Sequence, residues 1–316
     1  MKAIEILTQA LELITALAAA PLFLGWVNQC RAWLQNRRAP SIWLPYRGIR
    51  KLFYKDAVIA ENASPLFRVA PYVVFGAMVV AAGIIPSMGT RLPFTIAADA
   101  IALVGLLATA RVFLSLAAMD IGTAFGTLGA RREMMVGFLA EPALLMVIFV
   151  ASIISATTAL PAIAENLATQ TLGLYPSLAF TAVAFTLILL AENARIPIDN
   201  PATHLELTMI HEAMVLEYSA RHLALMEWAA SLKLFNYACI GFALFLPWGV
   251  STGTGGPLSL AASIPVLAAK LIVTGAALAF IETISAKLRV FRAPEFLAIA
   301  FLLAVLGLLV HLLLGA

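Results

Sequence analysis

The chain has 316 residues, 62% of them hydrophobic and only 12% charged, where soluble domains run near half apolar and about a quarter charged. That balance excludes an ordinary soluble domain, and a net charge of +3 that follows from basic loops gives no reason to invoke nucleic acid. The two cysteines, Cys30 and Cys239, lie far apart and form no CxxC, so the chain alone cannot ligate an Fe–S cluster or a [NiFe] centre.

A bilayer is crossed by about 20 apolar residues in a helix, and only structures that satisfy their own backbone hydrogen bonds survive there. Eight such spans are expected, near residues 4–27, 71–90, 97–118, 139–160, 177–193, 234–250, 263–285 and 295–314. The predicted fold class is therefore all-α, one polytopic transmembrane domain over residues 1–316. Its charged loops fall at about 28–70, 119–138, 194–233 and 286–294. These loops hold 16 of the 20 Lys and Arg residues. The positive-inside rule places them in the cytoplasm and both termini outside, in a cell inner (cytoplasmic) membrane.

The first segment is expected to be retained. Glu5 and Glu12 interrupt it, and only Lys2 stands for a basic n-region. The loop from Asn28 to Arg68 interleaves Trp33, Trp43 and Tyr46 with Arg31, Arg37, Arg38, Arg47, Arg50 and Lys51. Two compatible readings are an interfacial helix on anionic lipid and a docking face for a soluble partner. The third span contains Asp99 and Arg111, twelve residues and about 18 Å apart along a helix. Each needs a partner on another helix, because an ionisable group in a span is costly and a functional hypothesis by default.

In the second cytoplasmic loop, Gly122, Gly126 and Gly129 indicate flexibility or close packing. Arg131 and Arg132 are expected to face Glu133. Glu141 is expected to enter the fourth span just before Pro142, a natural helix-starting residue.

The richest stretch runs from Ala191 to Lys233. It holds Glu192, Asp199, Glu206, Glu212, Glu217 and Glu227, and three of the four histidines. If one helix runs through it, Glu206 and Glu217 are three turns apart and share a face. His204, His211 and His222 share another. His211-Glu212 begins an HExxH pattern, but position 215 is Val, so a zinc site is not expected. The seventh span carries Lys270 and Glu282, and the last ends near His311.

NRRAP at 36–40, YRGIRKLF at 46–53, FGTLGARREMMVGFLAEP at 125–142, ARIPID at 194–199, LEL at 205–207 and LEYS at 216–219 carry a resemblance over nearly the whole chain. The chain resembles the membrane subunit of energy-converting [NiFe]-hydrogenases, including formate hydrogenlyase, which is shared with respiratory complex I. The resemblance implies buried carboxylates feeding a proton path, carried here by Glu141, Asp199, Glu206 and Glu217, with Glu192 beside them. Asp99, Lys270 and Glu282 join them as ionisable groups inside spans. It implies docking through Arg37, Arg38, Arg131, Arg132 and Arg195 to soluble Fe–S and hydrogenase-like subunits. It also implies antiporter-like membrane neighbours and surrounding lipid. Cofactors, namely Fe–S clusters and a NiFe centre, would sit in partners and none in this chain. Ala39 and Ile198 depart from the complex I pattern and fit the hydrogenase-type branch better.

The expected role is a proton-coupling membrane anchor of a redox complex. The rivals are a quinone-site subunit of a complex I-like NADH dehydrogenase and a secondary ion transporter without redox partners.

Overall fold

The computed structural model describes residues 2–90, 93, 99–169, 176–199, 209–251, 257–286, 288 and 292–314. The described residues form eleven helices and no strand: α1 (Lys2–Leu34), α2 (Leu44–Phe53), α3 (Pro65–Ile84), α4 (Ala100–Asp120), α5 (Ala124–Ser155), α6 (Leu160–Thr169), α7 (Pro176–Glu192), α8 (His211–Val215), α9 (Ala220–Phe245), α10 (Pro257–Ile284) and α11 (Ala293–Leu314). Seven of them, α1, α3, α4, α5, α9, α10 and α11, are long and apolar enough to cross a membrane; α7 is a shorter apolar helix. The chain is an all-α polytopic membrane protein.

Small side chains set the helix spacing. Ala70, Ala77 and Ala81 of α3 and Ala110 and Ala117 of α4 are buried. Without a hydrophobic drive between helices in lipid, close backbone approach through such residues supplies the packing energy. On α1, Ala16, Ala20, Phe23, Val27 and Cys30 form one buried stripe at helical spacing. Buried amides and rings then lock the bundle. Asn236 of α9 donates to Met78 O of α3 at 2.9 Å. Trp228 donates to Leu17 O of α1 at 3.1 Å. Tyr218 stacks on Phe67 with ring centroids 4.0 Å apart.

The start of α1 and the end of α11 lie at one end of the bundle. Near the start of α1, Gln9 donates to Gly83 O at 3.0 Å, and Gly307 of α11 packs against Ser177 at the start of α7. The basic loops lie at the other end. There α2 lies across α1 and α9, with Ile49 buried and the Tyr46 hydroxyl donating to Ala18 O.

Several helices outrun the expected spans. α1 continues to Leu34, and α9 begins fourteen residues before the expected start at 234. Most of the expected 119–138 loop is helix. α5 runs 32 residues with Pro142 inside it, not at its start. At 1.5 Å per residue it is about 48 Å long, well beyond the ~30 Å hydrocarbon core. Arg131, Arg132 and Glu133 all fall in its first ten residues. Gly122, with φ +74°, makes the turn before it. Gly126 and Gly129 are packing contacts, against Ala118 and against Ile210 and Ala213.

Candidate functional site: a charged centre around Arg111

Arg111 sits in the middle of α4, with its side chain 5% exposed. Its guanidinium reaches three carboxylates on two helices. Nη1 donates to Glu141 Oε1 at 2.6 Å, Nη2 donates to Glu192 Oε2, and Nε lies 3.4 Å from Glu133 Oε1. Lys233 of α9 adds a second cation, its Nζ 3.1 Å from Glu192 Oε2. Tyr237, one turn further on, lies buried beside Glu192.

Sequence period explains the arrangement. Glu133, Gly137 and Glu141 recur every four residues and share one face of α5. Gly137 matters because a Cβ there would collide with the Arg111 guanidinium. Its absence lets the guanidinium lie flat on α5 between the two carboxylates. Lys233 and Tyr237 repeat the same spacing on α9. Fully ionised, three carboxylates and two cations leave one negative charge in excess, and a single proton removes it. Glu133 and Glu192 are buried, whereas the Glu141 side chain is 33% exposed. Glu141 is therefore the most exposed carboxylate of the set.

A second centre lies nearby with the opposite balance. Glu282 of α10 has a fully buried carboxylate that pairs with Arg195 at 3.2 Å and Arg31 at 3.5 Å. Burial lowers the Arg195 pKa from its ordinary value, and the Glu282 charge opposes that shift. A cavity of about 280 Å³ joins the two centres, lined by Glu192, Lys233, Arg31, Arg195 and Glu282, with Asp199, His211 and Glu212 on its wall. Asp199 Oδ2 accepts from the backbone N–H of Ile210 and His211, both at 3.1 Å, so it fastens the start of α8.

The expected site residues therefore separate. Glu141, Glu192, Asp199 and Glu282 gather around the two centres and the cavity. Asp99 does not lie within a span: it precedes α4 and caps it, accepting from Ile101 N at 3.1 Å. Lys270 lies twelve residues, about 18 Å, along α10 from Glu282, donating to Leu246 O and Trp248 O at 2.6 Å each. Glu217 is exposed, and the helix expected through it is broken. α8 ends at Val215 and α9 starts at Ala220, whose φ is +47°. Glu206 lies outside the described residues. Of the docking arginines, Arg37, Arg38 and Arg131 are exposed. Arg132 is half-buried and donates to Met209 O at 3.0 Å. Arg195 is committed to Glu282 and is no surface contact.

Two members of the Arg111 centre, and one buried acid outside it, carry no such role in the sequence reading. Glu133 was expected to pair with its neighbours Arg131 and Arg132, but points instead to Arg111. Its four-residue spacing from Gly137 and Glu141 was the available signal. Lys233 closes the expected 194–233 loop but lies within α9. Glu12, 1% exposed on α1, accepts from the N–H of Met88 at 2.7 Å and Gly89 at 2.8 Å, anchoring the segment after α3.

The chain is 32% identical to formate hydrogenlyase subunit 4 of Escherichia coli (strain K12) over 296 residues, 92% of this chain and 94% of that protein. It is 36% identical to hydrogenase-4 component C of the same organism over 239 residues, 75% of this chain and 74% of the other. Among solved structures, a chain of the membrane-bound sulfane sulfur reductase, an archaeal respiratory membrane complex, superposes with a TM-score of 0.80. It is 20% identical, with 95% of this chain and 98% of that chain covered. That match speaks for the fold. A family model described as NADH dehydrogenase matches residues 8–313, and the chain belongs to this family.

Proposed function

We propose that this chain is the proton-coupling membrane anchor of a redox complex of the hydrogenase or formate hydrogenlyase type. Electrons stay in soluble Fe–S subunits, which dock on the basic loop end through Arg37, Arg38 and Arg131. The positive-inside bias supports a cytoplasmic location for that end in the inner membrane. Antiporter-like subunits are the expected lateral neighbours.

The observation that carries this reading is one guanidinium shared by three carboxylates beside a polar cavity. Like charges held close in a poorly hydrated site do not titrate independently. A change of charge or position in the docked partner shifts the balance among them. Glu141 takes up or gives the proton, Arg111 holds the set together, and Lys233 and Tyr237 lie beside Glu192. The pair of relatives from hydrogenase-4 and formate hydrogenlyase favours this branch over a quinone-linked one.

The test is proton flux per electron in vesicles holding the whole complex. Glu141→Gln keeps an oxygen for Arg111 and removes the titration. The expected outcome is normal assembly and normal partner redox chemistry with artificial carriers, with proton translocation lost. Wild-type stoichiometry in this variant defeats the proposal.

A further inference from the structure

A cavity of about 360 Å³ lies where α2 crosses α1 and α9, within the usual span of small-molecule sites, about 300–1,000 Å³. Leu24 of α1 and Ile49 and Leu52 of α2 give it an apolar lining. Lys51 and Lys55, one turn apart at the C-terminal end of α2, contribute two cations. Glu227 contributes a carboxylate from α9. The Ser231 hydroxyl on the α9 side already donates to Glu227 O at 3.0 Å.

These charges do not meet. Among the described residues no ion pair uses Lys51, Lys55 or Glu227, and all three are exposed. The cavity therefore holds opposite charges apart on two elements. The helix that supplies the cations belongs at the membrane boundary. Arg47, Arg50 and Lys51 are exposed on α2 and its sequence has no acid, a charge density that the hydrocarbon core does not accept. Trp43, at its start, packs on Tyr46 with ring centroids 5.8 Å apart. Aromatic rings among cations are the pattern of a helix lying in the interface.

We propose that this cavity binds the zwitterionic headgroup of phosphatidylethanolamine, with the phosphate on Lys51 and Lys55 and the ammonium on Glu227. The signs and their separation fit that headgroup and reject its neighbours. A purely anionic headgroup meets the Glu227 charge. A choline headgroup has no N–H to give a carboxylate, whereas an ammonium has three. Leu24, Ile49 and Leu52 receive the glycerol and the first acyl carbons, which a free phosphorylated amine lacks. The bound headgroup completes an ionic link between α2 and α9 that their own side chains do not make, and so fastens the interfacial helix to the bundle.

The probe is phosphatidylethanolamine carrying a photoactivatable group on an acyl carbon near the glycerol, in phosphatidylcholine vesicles holding the whole complex. Label is expected on peptides covering 45–55 and 224–231. Gly48 lines the cavity and a Cβ on it meets no atom within 4 Å. Gly48→Leu therefore puts a side chain into the space while favouring the helix, and is expected to remove the label. Lys51→Gln is expected to reduce it about fivefold, the weight of one cation at a lipid surface, with Lys51→Arg restoring it. Glu227→Gln is expected to erase the preference for the phosphatidylethanolamine probe over its phosphatidylglycerol counterpart. Equal labelling by the phosphatidylcholine probe, or label spread evenly over exposed α11 residues such as Leu302 and Leu313, overturns the site. A preference unchanged in Glu227→Gln overturns the part given to the carboxylate. Displacement by an isoprenoid quinone but not by excess phosphatidylethanolamine assigns the cavity to another ligand and overturns the proposal.

Discussion

The Arg111 and Glu282 centres are built from the same groups in inverse proportion. At Arg111 one guanidinium serves three carboxylates, with Lys233 assisting. At Glu282 one carboxylate serves two guanidinia. The first is short of positive charge and has a natural place for a proton. The second is short of negative charge, and adding a proton to Glu282 would leave two arginines facing each other. Both open on one cavity. The comparison teaches that buried charge alone does not identify a proton carrier; the sign of the local excess does. Under the proposed function, exchange belongs to the Arg111 side and fastening to the Glu282 side.

The largest test of this contrast is Arg111→Met. It leaves Glu133 and Glu192 buried with only Lys233 nearby. Removing one partner from a buried ion pair costs about 3–5 kcal/mol, and here one cation serves several. Recovery of intact complex after mild detergent extraction is expected to collapse. Adding Glu133→Gln and Glu192→Gln to the same chain is expected to restore much of it, because the stranded charges are then gone. Full recovery with Arg111→Met alone breaks the assignment of Arg111 as the organising cation.

The same contrast shows how far the sequence could be read. An isolated arginine in an apolar run announced that Arg111 needed partners on other helices, and it has them. Spans were legible because hydrophobicity is a local property. Helix ends were less so, since α5 and α9 continue past the apolar layer under tertiary packing. Asp99 stood directly before an apolar run, the position of a capping residue, yet its burial-type reading as an intramembrane acid was wrong. Lys270 was another intramembrane charge whose need was met by backbone carbonyls. Glu133 shows the opposite failure. Adjacent Arg131 and Arg132 looked like its partners, but neighbours in sequence do not face one another on a helix. The division of Arg195 from the surface arginines depends on a loop meeting α10 across 87 residues, which no local pattern specifies.

A smaller effect is expected from Glu282→Gln. Arg31 is partly solvated, its side chain 26% exposed, and glutamine keeps an oxygen for Arg195. Loss of the charge-assisted bonds is worth about 1.5–3 kcal/mol. The complex is expected to melt earlier in detergent, while proton flux per electron in the assembled fraction stays at the wild-type value. Loss of flux with unchanged thermal stability reverses the roles of the two centres.

The smallest effect is expected at Glu217. Its LEYS motif resembles a family signature, and a continuous helix would have set it on the face of Glu206. The chain instead ends α8 at Val215, turns, and begins α9 at Ala220. Next to Glu217 the buried group is Tyr218, whose hydroxyl donates to Phe67 O at 3.1 Å and whose pKa burial pushes up. The motif therefore packs through its tyrosine, and Glu217 faces outward. An exposed carboxylate keeps its solvation and contributes little to a buried network. Glu217→Gln is expected to leave both assembly and proton flux per electron within experimental error of wild type, in the same vesicles where Glu141→Gln abolishes flux. If Glu217→Gln instead lowers flux as far as Glu141→Gln does, the exchangeable proton belongs to the loop before α9, and the charge-excess argument built on Arg111 fails.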